Sequence, residues 1–185
     1  MGMDVYGVNP QTKTEQPTRP ESENYDSDEW SAYWEARREW EQENPGTYFR
    51  NNVWWWRPLW DYVNVLCDDV LTEDDHKSGH HNDRHLIDAD KCQLIAERIA
   101  NELLNGGVTK YKEERQEYLD ELPLVKCHCC EGTGKGAHYS EGKDTCHVCE
   151  GTGEQEDSQV QYPFEEDNVR EFHSFVKHCG GFEIG

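Results

Sequence analysis

The chain contains no run of apolar residues approaching the roughly 18 that a membrane-spanning helix needs, and its mean hydropathy of -1.06 is strongly polar. Basic charge is scarce too. Only 18 Lys and Arg stand against 39 Asp and Glu, a formal net charge of -21 over 185 residues. A field of that sign repels phosphate backbones, so direct nucleic-acid binding through a general basic surface is disfavoured. It suits a basic protein partner instead. The opening MGMDVYGVNP has neither the basic nor the apolar region of a secretory signal, which gives the expectation of a cytoplasmic protein. No Walker loop, G-x-S-x-G or H-E-x-x-H occurs, which removes the commonest catalytic signatures. Apolar residues make up only 34% of the chain, low for a globular protein. Seven Trp, nine Tyr and five Phe offset this, because each buries a large area.

Periodicity gives the coarse organisation. Residues 3–8 read as a short strand, and 9–29, rich in Pro, Thr, Ser, Glu and Asp, as an exposed loop or disordered arm. Trp30, Tyr33, Trp34, Arg37 and Trp40 recur at helical spacing. They predict an amphipathic helix over 30–43, docked by its tryptophans, capped by Ser27 or Asp28 and stopped at Asn44-Pro45-Gly46. In the next segment Val53 and Trp55 share one face of an expected strand and Trp54 and Trp56 the other. Pro58 then suits the first turn of a helix whose apolar face is Leu59, Tyr62, Val63, Leu66 and Val70. A helix over 88–105 buries Ile95, Ile99 and Leu103 and ends at Asn105-Gly106-Gly107. Tyr111, Arg115, Tyr118 and Leu122 suggest another, stopped by Pro123. Near the end Val169, Phe172, Val176 and Cys179 form one helical face, Asn168 and Glu171 have capping-box spacing, and 182–184 suits a last strand.

The fold class implied is α+β: a small mixed domain of several amphipathic helices and a few short strands. It covers 1–125 and 156–185, with a cysteine-rich module inserted at 126–155.

That module is the strongest signal. CHCCEGTG at 127–134 recurs as CHVCEGTG at 146–153. Two Cys-x-x-Cys turns offer the four thiolates that a tetrahedral zinc requires: Cys127, Cys130, Cys146 and Cys149. The following glycines permit the tight turn that brings amide groups to the sulfurs. Lys126, Lys135 and Lys143 supply local positive charge beside an anionic centre. Cys129 is a competing thiol out of register, and His128 and His147 are alternative donors. Cys67, Cys92 and Cys179 fall on apolar helical faces and read as buried thiols.

Both octapeptides match CxxCxGxG, so the module resembles the DnaJ-type (Hsp40) cysteine-rich domain, which uses four repeats for two zincs and contacts unfolded clients. Two repeats here imply one structural Zn2+. The chain lacks the His-Pro-Asp through which J-domains engage Hsp70, which disfavours a cochaperone. The pair is also similar to that of the tryptophan-attenuation antiprotein, which grips a protein partner. More widely, MGMDVYG, YFRNNVWWWRPLW, the repeat pair and CGGFEI resemble an uncharacterised family of small phage and bacterial proteins. That resemblance implies a phage or bacterial origin, with residues 11–46 as an insertion and the 30–43 helix therefore peripheral.

Two other constellations carry chemistry. Arg50, Asn52, Trp54, Trp55, Trp56 and Arg57 combine guanidinium with aromatic walls, which suits a planar anion such as a nucleotide. His80, His81, Asp83 and His85 bring imidazole and carboxylate together, as a second metal or a hydrolytic site would need. The leading expectation is a non-enzymatic zinc-containing binding protein, a phage- or bacteria-borne modulator acting by contact with a host or phage protein. The alternatives are a protein that binds or sequesters a small anionic ligand, countering host defence signalling, and a metal-dependent hydrolase built on the histidine run.

Overall fold

The computed structural model describes residues 2–136 and 145–185, and Lys143 lies outside them. The architecture is α+β, with six α-helices and short antiparallel strands among the described residues. The chain divides into two compact units: 1–110 with 164–185, and 111–163.

The first unit is organised on a four-stranded antiparallel sheet. Its strands are β1 (Gly2–Gly7), β2 (Tyr48–Asn52), β3 (Leu86–Ile87) and a C-terminal strand, Phe182–Ile184. The C-terminal strand lies between β1 and β3, and β2 flanks β1 on the other side. Side chains alternate across the pleat. Met3, Val5, Phe49, Ile87, Phe182 and Ile184 are buried on one face, whereas Asp4, Tyr6 and Arg50 face outward. Register pairs Val5 with Phe49 and with Ile184, so the apolar residues stack in rows across the sheet.

Helices cover that face. α1 (Asp28–Glu43) precedes β2, and α2 (Val53–Leu66) follows it directly. Next come α3 (Glu73–Ser78), α4 (Ala89–Asn105), α5 (Gly107–Asp120) and α6 (Glu166–Val176). α2 and α6 contact the sheet, and α4 packs against both of them. Trp56 and Trp60, one turn apart, stack with centroids 5.7 Å apart and planes 9° from parallel. Phe49, Phe172, Phe175 and Phe182 close around them with centroid separations near 6 Å.

The strand expected through the tryptophans is a helix. Asn52 turns the chain: its side-chain oxygen accepts from Trp54 N at 3.0 Å and Trp55 N at 3.1 Å, an N-cap that starts α2 at Val53. Pro58 therefore sits in the second turn rather than the first. Helical spacing then sends Trp56 and Trp60 inward and leaves Trp54 42% exposed.

Local signals set most other boundaries. Ser27 caps α1, Asp88 caps α4, and Gly106 ends α4 in the left-handed region at φ 78°. The capping box expected at Asn168 and Glu171 is absent, because α6 begins after Glu165 without a side-chain cap. Asn168 instead accepts from Asn51 Nδ2 at 2.7 Å and donates to Trp55 O at 3.3 Å, tying α6 to β2 and α2. Cys67, Cys92 and Cys179 are buried thiols, and burial pushes Cys67 up to about 11.

The second unit contains the rest of α5, a two-stranded hairpin of β4 (Val125–Lys126) and β5 (Glu154–Gln155), and a 3-10 turn at Ser158–Gln161. Arg115 donates to Tyr162 O at 3.2 Å within it. Numbered in chain order, the C-terminal strand is β6.

Candidate metal centre

Each CxxC turn ends β4 or leads towards β5, and the two turns interlock. Cys127 N donates to Gly153 O at 2.8 Å, and Cys146 N donates to Gly134 O at 2.9 Å. The closing glycine of each repeat thus anchors the first cysteine of the other. Both glycines are left-handed, Gly134 at φ 71° and Gly153 at φ 81°. A Cβ on Gly134 would come within 2.3 Å of Gly151 O, and one on Gly153 within 2.5 Å of Gly132 O. The Gly-x-Gly of the repeat is therefore a packing requirement between repeats as well as a turn requirement.

This interlock brings four sulfurs together. The ligand atoms of Cys127, Cys130, Cys146 and Cys149 all lie within 4.8 Å of one another, and all four residues are buried. Cys127 Sγ is 3.8 Å from Cys146 Sγ, and Cys130 Sγ is 3.7 Å from Cys149 Sγ. Backbone amides point at the sulfurs: Gly134 N is 3.2 Å from Cys130 Sγ and Gly153 N is 3.3 Å from Cys149 Sγ. Such donors favour thiolate over thiol. The amide of Cys149, helped by that of Val148, pulls the Cys146 thiol down to about 6. Burial opposes ionisation of Cys130, yet the Gly134 amide and the neighbouring thiols hold it below the ordinary thiol value. Burial pushes Cys127 the other way. A bound cation would override that difference and ionise all four. The arrangement can hold a metal ion.

The other donors of the module stand aside. His128 Nδ1 lies 2.8 Å from Gln155 Oε1. His147 is exposed. Cys129 is half-buried against the cluster but does not belong to the converging set. Lys126 and Lys135 are exposed.

The six residues of the Trp-Arg segment are dispersed by the helix that contains most of them. Arg50, Asn52 and Trp55 line one open groove of about 570 Å3, together with Asp167 and Glu171. Two carboxylates on that wall work against a simple anion. Arg57 lines a different cavity, of about 460 Å3, with His80 and His81. Trp56 is 0% exposed in the core, which removes it from any ligand surface. Trp54 is on the outside of α2.

The histidine run is likewise divided. His80 Nε2 is 3.3 Å from Asp61 Oδ1, and His85 Nε2 is 2.8 Å from Asp75 Oδ1. Asp83 Oδ1 accepts from the His85 amide at 3.0 Å, and His81 is exposed. Among the described residues, the four cysteines are the group of His, Cys, Asp or Glu whose donor atoms converge on one point.

Asp75 is absent from the sequence-based candidates, although Thr72-x-x-Asp75 is a readable capping box. The carboxylate also accepts from Lys91 Nζ at 2.7 Å, sixteen residues away, which no local pattern reveals. Burial by itself would raise its pKa; Lys91, His85 and Thr72 together hold it well below the usual carboxylate range. Among the described residues, no helix is long and apolar enough to cross a membrane. No protein-family model, curated protein or solved structure matches the chain.

Proposed function

We propose that the chain is a zinc-containing binding protein that acts through protein–protein contact, one structural Zn2+ being held by Cys127, Cys130, Cys146 and Cys149. The observation that carries the metal assignment is the spacing of the sulfurs. Zinc–thiolate bonds of about 2.3 Å give a tetrahedron edge of about 3.8 Å. Two of the sulfur pairs stand at 3.7 and 3.8 Å. Four protein thiolates close the coordination shell and leave no position for a substrate, so the ion is structural rather than catalytic. What the centre presents outward is the pair of turns themselves, with His128, His147 and the 40% exposed Val148 at their tips. The chain's formal net charge of -21 favours a basic partner. The wider resemblance of MGMDVYG, YFRNNVWWWRPLW and CGGFEI extends the reading to a phage- or bacteria-borne modulator of a host process.

The test is elemental analysis of chain purified without added metal. One zinc per chain is expected, and Cys146→Ser should retain less than about a fifth of it. Iron in place of zinc, or full retention by the variant, would sink the assignment. The partner half is tested separately by affinity capture from bacterial lysate at low and moderate salt. A specific basic protein should be retained at both; none at either salt counts against it.

A further inference from the structure

The aromatic side of α1 is covered by a part of the chain that is neither helix nor strand. Trp30 is 1% exposed and Tyr33 7% exposed. Yet the extensive packing of the first unit runs among α2, α4, α6 and the sheet. What covers α1 is the segment that precedes it. Trp30 Nε1 donates to Ser22 O at 2.8 Å, and Trp40 Nε1 donates to Thr14 O at 3.0 Å. Asn44 Oδ1, just past the helix, accepts from Lys13 N at 2.6 Å. The strap therefore runs antiparallel to the helix, held by its main chain. The Arg19 guanidinium lies 5.2 Å over the Trp30 ring, and the Tyr25 ring stands 4.8 Å from it.

The strap has the sequence Gln16-Pro17-Thr18-Arg19-Pro20 at its middle and passes from Glu15 to Ser22 without a turn or bend. Each proline fixes its own φ and pushes the preceding residue towards extended backbone. Indole N–H groups taking carbonyls from an extended Pro-x-x-Pro segment, with aromatic rings under its side chains, is the chemistry by which proline-rich peptides are recognised. The fit here is incomplete. The strap carries no large aliphatic side chain between Lys13 and Ser22, and a groove of about 750 Å3 remains between it and Tyr33. Trp34, whose ring lies 5.0 Å from that of Tyr33, is 47% exposed.

We propose that the aromatic face of α1 is a docking site for an extended proline-rich segment of another protein, for which residues 13–24 act as a resident, displaceable occupant. The proposal rests on the reading of the chain as a binding protein, but it concerns a surface separate from the four cysteines. A tether this short keeps the strap at millimolar effective concentration, so a foreign peptide competes poorly until the strap is weakened.

The test uses the full chain and a fluorescein-labelled synthetic peptide of residues 12–24, read by anisotropy. In the Pro17→Gly/Pro20→Gly chain, whose strap is less pre-organised, the peptide should bind about fivefold tighter than to the unaltered chain. In Arg19→Ala, which loses the cation–ring contact alone, the gain should be about threefold. A peptide with both prolines replaced by Ala should bind more weakly to both. If a variant loses its native indole spectrum, the unaltered chain decides: peptide added to millimolar concentration should shift the Trp30 and Trp40 indole N–H resonances. Absence of saturable binding to folded variants, equal binding of the alanine peptide, or unmoved indole resonances overturns the proposal. Concentration-dependent dimerisation of the unaltered chain also overturns it, by assigning the groove to a second copy. Zinc content should be the same in every variant, so failure here and failure of the metal assignment are distinguishable.

Discussion

Asp75 is the one fully buried acid among the described residues, at 1% exposed. Both its oxygens are occupied. Oδ2 accepts from Thr72 N, Thr72 Oγ1 and Lys91 Nζ at 2.7 to 2.8 Å, and Oδ1 faces His85 Nε2 at 2.8 Å. One carboxylate thus caps α3 and ties it to α4 and to the residue before β3. Removing its charge leaves the Lys91 ammonium, 22% exposed at its side chain, without that partner. Asp75→Asn should therefore cost about 3 kcal/mol, measured by urea unfolding at pH 7. The folded-state pKa is depressed, so the stabilisation is complete above the unfolded value of about 3.9. It is lost progressively as pH falls below that value through the depressed range. The difference between parent and Asp75→Asn should accordingly shrink between about pH 4 and pH 2. A constant difference across that window would mean that the carboxylate acts through shape rather than charge. The capping half of this network is written in Thr72-x-x-Asp75. The Lys91 half depends on how α4 is placed and was not legible.

At the scale of elements, the interlocked repeats give the cleanest prediction. Gly134→Ala and Gly153→Ala each place a Cβ against the backbone of the other repeat, at 2.3 Å from Gly151 O and 2.5 Å from Gly132 O. Backbone cannot swing aside as a flexible side chain would, and both positions need positive φ. Each variant should lower zinc affinity by at least about tenfold, as read by competition with a chromophoric chelator. Thr133→Ala, which removes the hydroxyl bond to Cys130 O and the one accepted from Lys135 N, serves as a comparison with a smaller effect. The repeat was fully legible, because ligand spacing and glycine positions are both local properties. The tryptophan segment was not. Three consecutive tryptophans fit a strand and a helix equally well, and the deciding residue was the Asn52 cap. Once α2 starts at Val53, the helical period separates Arg50 from Arg57 and sends Trp56 to the core, leaving Arg50, Asn52 and Trp55 together on one groove. The histidine run is divided for a related reason. Its side chains reach to Asp61 and Asp75, acids outside the run itself.

On the scale of the whole molecule, fluorescence and metal report on different parts of the chain. All seven tryptophans, from Trp30 to Trp60, fall in the unit formed by 1–110 and 164–185. All four converging cysteines fall in 111–163. The first unit has its own aromatic core, centred on Trp56, Trp60 and Phe172, none more than 1% exposed. Among its described residues the small hairpin unit has little apolar burial besides its cysteines, so metal binding and local folding should be one process there. Removing metal with a chelator under reducing conditions should therefore leave the tryptophan emission maximum and near-ultraviolet aromatic signal unchanged. Over the same titration, amide protection at 125–135 and 146–155 should collapse and thiol reactivity should rise to include Cys127, Cys130, Cys146 and Cys149. Thermal unfolding should then show two transitions in the presence of metal, with only the tryptophan-reported one surviving its removal. A red shift of emission on chelation would instead make the metal centre part of the folding of the tryptophan core. The insertion would then be a keystone of the fold rather than a self-contained module carried by it.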